Sequence, residues 1–358
     1  MTAHPNTEEA LARPLHLSRI CVEKVWGGRA LEGVLGIELE CTGPVGETWE
    51  LADRDDHNSI VAEGRFEGQS LHWLMANERQ ALLGDAEPSQ DDQFPLLVKF
   101  LSAEKPLSVQ VHPDQKVARK LGNGEAGKNE AWYILSAEPE SLLYLGLRPE
   151  VGPAEFAAAA GSMEVVDLLQ TWSVKPGQFV WVPAGTVHAI GAGITLLEVQ
   201  QNSDATYRIF DWGRLGLDGQ PRRTHVEEAL LAANYDYSGE GPVVPELQPL
   251  ECGNQGAELV DNEFFRMELV EVCGTLPRES IQKNASGTPL VIVCVAGAGT
   301  IGDPGGESRE FVAGDTWLIP AVVQDWTVES RGGECRLILV EAKAQEAAKK
   351  EPQEESKA

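Results

Sequence analysis

Lys175-Pro-Gly-Gln-Phe-Val-Trp-Val-Pro-Ala184 recurs, at an offset of 137 residues, as Val312-Ala-Gly-Asp-Thr-Trp-Leu-Ile-Pro-Ala321. Each copy places a glycine, five further residues and then Pro-Ala, and each reads as turn, strand, turn. The first copy runs on to His188, whereas the equivalent position in the second is Asp325, preceded by Gln324. A repeated strand unit with a histidine in one copy alone implies two barrels of similar design, only the first of which keeps a site.

The rest of the chain agrees with a mainly β fold. Its 36 Gly and 21 Pro lie close to short apolar runs such as Leu290-Val-Ile-Val-Cys-Val295, the punctuation of many short strands. Helical spacing is confined to a few places. His225 to Asn234 carries Val226, Leu230 and Leu231 on one face, and Pro153 to Leu169 carries Phe156, Val165 and Leu168. The tail from Glu341 to Ala358 is polar and near charge balance, which predicts disorder.

At 358 residues the chain can bury a sizeable core, and 42% hydrophobic with 24% charged residues is ordinary globular composition. The formal charge of -27 argues against a phosphate-gripping nucleic-acid surface. It also means that any anionic ligand must meet basic side chains placed at its site to overcome a repulsive background. Cys21, Cys41, Cys252, Cys273, Cys294 and Cys335 form no CxxC pair, which fits neither a zinc ribbon nor a secreted disulfide framework. Cys294 reads as a core thiol. With no leader-like start and no long apolar run, a cytoplasmic protein with no membrane association is expected. No protein partner is evident.

Ser108-Val-Gln-Val-His112 alternates as a strand would, so Gln110 and His112 share a face. Glu130 lies in the strand-like Lys128-Asn-Glu-Ala-Trp-Tyr-Ile-Leu135, and His188 follows the turn residues Pro183 and Gly185. A lone histidine on a strand is usually just hydrogen-bonded. Two imidazoles with a carboxylate and an amide oxygen instead suit a borderline divalent ion such as Zn2+, with no thiolate involved. Gly297-Ala-Gly-Thr-Ile-Gly302 spells a dinucleotide-binding motif, but Asp303-Pro-Gly-Gly306 follows where a helix is needed, so a glycine-rich hairpin is expected.

These stretches resemble the type I phosphomannose isomerases of the cupin superfamily, in their short bacterial form. Gly177-Gln-Phe-Val-Trp-Val-Pro-Ala-Gly-Thr-Val-His188 fits the second cupin motif, and Ser108-Val-Gln-Val-His-Pro-Asp114 resembles the isomerase version of the first, with Gln110 where an ordinary cupin has histidine. Further similarity lies in Val25-Trp-Gly-Gly28, Gly46-Glu-Thr-Trp-Glu50, Gly127-Lys-Asn-Glu-Ala-Trp132 and Ser203-Asp-Ala-Thr-Tyr-Arg208. The resemblance runs over roughly residues 15 to 340 and is weakest in the last third.

The resemblance implies two cupin-type jelly-roll barrels with a few short helices: an extension over 1–14, a catalytic domain over 15–240, a degenerate domain without metal ligands over 241–342, and a disordered tail over 343–358. It implies a metal-dependent interconversion of mannose 6-phosphate and fructose 6-phosphate through a cis-enediol, with Gln110, His112, Glu130 and His188 as ligands. Positions matching the family pocket are Lys99 and Ser108 for substrate binding, Lys128 and Glu198 for proton transfer, and Arg208 for both substrate binding and catalysis. Trp26, Trp49, Trp132 and Tyr207 could wall a sugar site, although core packing is the reading for Trp132. The competing readings are a non-catalytic cupin that binds metal or sugar phosphate, and an iron dioxygenase.

Overall fold

The computed structural model describes residues 11–122, 124–237, 239–281, 287–303 and 305–344. The expected extension and tail therefore lie outside the described residues, except for 11–14 and 343–344. Leu11 is already fully buried, and Glu341 is paired within the strand Cys335–Ala342 rather than frayed.

The repeat folds alike in both copies. Gly177 (φ 85°) and Gly314 (φ 96°) occupy left-handed backbone that disfavours any other residue. The next side chain closes the turn in each: Gln178 Oε1 accepts from Lys175 N at 2.7 Å, and Asp315 Oδ2 accepts from Val312 N at 2.8 Å. The strands Phe179–Val182 and Thr316–Ile319 follow. A Cβ at Gly177 would approach nothing nearer than 3.9 Å, whereas one at Gly314 would lie 2.4 Å from Ile37 Cγ2. Gly177→Ala is therefore expected to cost about 1 kcal/mol from the backbone alone, and Gly314→Ala about 2–4 kcal/mol once overpacking is added. Urea midpoints would show that ordering.

The protein is mainly β with a few short helices, its described residues arranged as four sheets of six, five, seven and four strands. The six-stranded sheet orders Ile20–Gly28, Val45–Leu51, Leu96–Ala103, Ile194–Gln201, Glu130–Ala137 and Phe179–Val182. The five-stranded sheet orders Tyr207–Phe210, Val109–Val111, His188–Ile190, Leu142–Leu147 and Leu169–Ser173. Each of the four keeps two edge strands. The ladders are thus open, not the closed barrels that the repeat suggested, because short strands and register shifts end the pairing before a sheet meets itself.

Strand alternation sorts residues into layers. Leu96, Val98 and Phe100, with Ala131, Tyr133, Leu197 and Val199, pack in one core with Met267, Val291, Leu318 and Val340 of the seven-stranded sheet. Their neighbours Leu101, Trp132, Ile134 and Leu196 face the opposite way, toward Leu143, Leu145 and Ile190 of the five-stranded sheet. Lys99, Glu130 and Glu198 share that inner parity, which is how charged residues come to lie between two sheets. The far side of the five-stranded sheet is covered by helices through Phe156 and Ala229.

The expected helix near His225 is present as Val226–Ala232. That expected over Pro153 to Leu169 is two helices, Pro153–Ala159 and Glu164–Asp167, broken around Gly161 (φ 84°), and Leu169 begins a strand. The longest helix, Leu71–Leu83, was not anticipated; Ser70 caps it by accepting from Trp73 N. Ala298–Gly302 and Ser308–Val312 form the glycine-rich hairpin, and Cys294 is buried in the core. Asp325, the counterpart of His188, is exposed.

Candidate active site

Between the six- and five-stranded sheets lies a cavity of about 350 Å³. Register sets one wall: Gln110 is opposite both His188 and Arg208, so the three side chains share a face across adjacent strands. His112 follows one residue beyond its strand. On the facing sheet Glu198 lies opposite both Lys99 and Trp132, with Glu130 two residues before Trp132.

His112, Glu130 and His188 offer ligand atoms within 4.8 Å of one another, all buried. His112 Nδ1 is 2.8 Å from the Ala205 carbonyl and His188 Nδ1 2.9 Å from that of Thr186. A carbonyl only accepts, so both rings carry their proton on Nδ1 and turn an Nε2 lone pair inward. Burial lowers the pKa of both histidines, His188 to about 4, so a second ring proton is disfavoured near neutrality. His112 Nε2 then confronts Glu130 Oε1 at 3.1 Å with no proton between them, and His112 Nε2 and Glu130 Oε2 are buried without a hydrogen-bond partner. Converging lone pairs in a dry interior need a cation, and this donor set fits a divalent one. Gln110 is the nearby amide, 3.3 Å from His188 Nε2, with its Oε1 receiving the Ser108 hydroxyl at 3.1 Å; exchanging the amide's O and N would present oxygen to the same point.

Lys128 Nζ is 2.7 Å from Glu130 Oε1 and also buried. Burial opposes its charge, but Glu130 and Glu198 outweigh that and hold the ammonium above its ordinary range. Lys99 lies 3.7 Å from Glu198 and 3.8 Å from Glu47, over the Trp49 ring at 4.6 Å. Burial alone would raise Glu47, yet Lys99 and Lys24 bring it down to about 2. Glu198 goes the other way: burial, then Glu130, pushes it up to about 7 against Lys99 and Lys128. Two carboxylates on one face thus differ in proton affinity, one fixed as an anion and one poised to exchange a proton near neutrality.

Trp132 is fully buried, as core packing required, but its indole N–H donates to Glu198 Oε2 at 3.2 Å and the ring lines the cavity. Trp26 also lines it, whereas Tyr207 packs under the helices. Sequence reasoning missed Glu47, Arg222 and His225 as lining residues. Glu47 stood inside Gly46-Glu-Thr-Trp-Glu50; Arg222 and His225 lie between elements, where periodicity carries no signal.

Residues 15–140 match the family model described as phosphomannose isomerase type I, catalytic domain. The chain is 34% identical over 318 residues to a mannose-6-phosphate isomerase of Streptococcus mutans, covering 88% of this chain and 95% of that protein. Over 233 residues it is 38% identical to the mannose-6-phosphate isomerase ManA of Bacillus subtilis, covering 65% and 70% of the two. A crystal structure of the mannose 6-phosphate isomerase from Bacillus subtilis matches with a TM-score of 0.81 at 30% identity, over 91% of this chain and 99% of that one.

Proposed function

As a member of the type I phosphomannose isomerases, this chain is an aldose–ketose isomerase interconverting mannose 6-phosphate and fructose 6-phosphate, and we propose that Glu198 and Lys128 carry its protons. The observation that supports this most is the pairing of the raised Glu198 carboxyl with a buried ammonium in one cavity beside a ready-made cation site. Gln110, His112, Glu130 and His188 would hold one divalent ion, which we take to be zinc. When bound, that ion supplies Lewis-acid stabilisation of developing oxyanion character.

In the forward direction the Glu198 carboxylate takes the proton from C2 of the open-chain aldose while the Lys128 ammonium gives one to O1, leaving a cis-enediol. Glu198 then returns its proton to C1 and Lys128 recovers one from the C2 hydroxyl, so C2 becomes the carbonyl. No redox equivalent enters or leaves. Lys99 holds Glu198 in place from the side, and Ser108 and Arg208 bind substrate oxygens. Each pair of facing sheets is read as one cupin-type jelly roll, over 15–240 and 241–342, with the site in the first and the strand Leu15–His16 lent to the sheet of the second. The six cysteines are free thiols, which suits the reducing cytoplasm. Among the described residues no helix is long and apolar enough to cross a membrane.

Turnover of mannose 6-phosphate in deuterium oxide tests the route. Deuterium at C2 of recovered substrate and at C1 of product is expected, because a proton held on Glu198 can exchange with solvent. Conversion with no label would point to direct hydride transfer, and absence of conversion to the non-catalytic binder.

A further inference from the structure

The cavity end formed by Arg208 holds more positive charge than its partners neutralise. Asp211 receives Arg222 in two bonds, Nε to Oδ2 at 2.7 Å and Nη2 to Oδ1 at 2.5 Å. It also receives Arg214, from Nε at 3.0 Å and Nη2 at 2.7 Å. Arg208 has no carboxylate within ion-pair distance among the described residues, and its Nε is buried without a partner. Its Nη1 donates only to the Arg223 carbonyl, at 2.8 Å. Two guanidiniums thus share the Asp211 carboxylate and the third, Arg208, pairs with none among the described residues, so three positive charges face one paired negative charge. Asp204 also lines the cavity but makes no ion pair with them among the described residues.

In a chain of formal charge -27 a local excess of this kind is what lets an anion approach against a repulsive background, and an anion seated between the guanidiniums relieves their mutual repulsion. Arg208 and Arg222 both line the cavity, and Asp211 fixes the plane of Arg222 as a rigid fork, the geometry that recognises phosphate oxygens. His225 completes the rim: its Nδ1 accepts from Arg208 N at 3.2 Å, so its ring proton is on Nε2. The loop bearing Arg214 is tied to the ligand strand, because Arg214 Nη1 donates to the Pro106 carbonyl and Trp212 Nε1 to that of Leu107 at 2.6 Å. The row His188, Gln110, Arg208 runs from the cation site to this cluster over two strand spacings, about 10 Å.

We propose that Arg222, seated on Asp211, forms with Arg208 a two-guanidinium clamp for the phosphate dianion of the sugar, making Arg222 a specificity-determining residue. The proposal rests on the isomerase reading for its sugar, but not for its anion.

Arg222→Ala is expected to raise KM for mannose 6-phosphate about 10- to 100-fold, with most of the loss in kcat/KM carried by KM. Competitive inhibition by inorganic phosphate should weaken about tenfold, and Arg222→Lys should fall between the variant and wild type. Thermal stabilisation of the metal-loaded protein by inorganic phosphate reads the clamp without turnover. A wild type that is inactive yet stabilised by phosphate, with the effect lost in Arg222→Ala, would remove the isomerase reading and keep the clamp. An active wild type whose KM and phosphate stabilisation match those of Arg222→Ala overturns the clamp, as does a loss confined to kcat.

Discussion

Replacing His188 by alanine is expected to abolish both metal retention and turnover in one step. The side chain is fully buried, with Nδ1 committed to the Thr186 carbonyl and Nε2 3.9 Å from Glu130 Oε2. Removing it takes one ligand from the cation and leaves His112 and Glu130 converging on a point they cannot neutralise alone. Losing a partner that merely orients a ligand typically costs about 10–100-fold in affinity or activity, so losing the ligand itself should exceed that. Metal content after gel filtration, with residual kcat, measures both. A variant that retains stoichiometric metal and full activity would contradict the ligand assignment. Arg208→Ala provides the contrast, since it should keep the metal and lose turnover through a raised KM for mannose 6-phosphate.

Glu198→Gln carries the second large effect. It is nearly isosteric and can still accept from the Trp132 indole, but it cannot take a proton from carbon, and loss of a general base costs about 10²–10⁴ in kcat. Because burial pushes Glu198 up, wild-type kcat/KM should climb with pH as the carboxylate forms, and at a lower pH once a bound cation offsets Glu130. The groups facing it set that position: Lys99, Lys128, Glu47, Glu130 and the Trp132 N–H. The sign for stability is opposite to that for activity. A carboxyl whose folded value exceeds its ordinary 4.5 favours folding most when protonated, and that contribution is lost as pH rises from 4.5 toward 7. Glu198→Gln should therefore lose activity without losing stability at pH 8. Unchanged kcat would remove Glu198 from the reaction, and concurrent unfolding would mark it as structural.

Much of this was legible because backbone demands leave marks in sequence. Gly177 and Gly314 recur since both turns need positive φ, and the strands after them alternate because one face meets each layer. Lys99 and Glu198, named only through the family resemblance, lie on one inner face by the same alternation. Where the signal failed, geometry was set by loops or by broken phase. Arg222 reaches the cavity from a stretch with no period, and only the scarcity of basic residues in so acidic a chain hints at it. The helix Leu71–Leu83 has Leu71, Leu74 and Met75 in phase, but non-helical backbone at Glu78 (φ -131°, ψ 24°) breaks the register before Leu82 and Leu83. Trp132 is core as read and cavity wall as well, since a strand residue between two sheets can be both together.

The most direct test starts from protein stripped with chelator and reloaded with one divalent ion at a time, with conversion of mannose 6-phosphate to fructose 6-phosphate followed in a coupled assay. The stripped protein should be inactive, and zinc should restore turnover at close to one equivalent per chain. Full activity without metal, or inactivity with every divalent ion, would contradict the account.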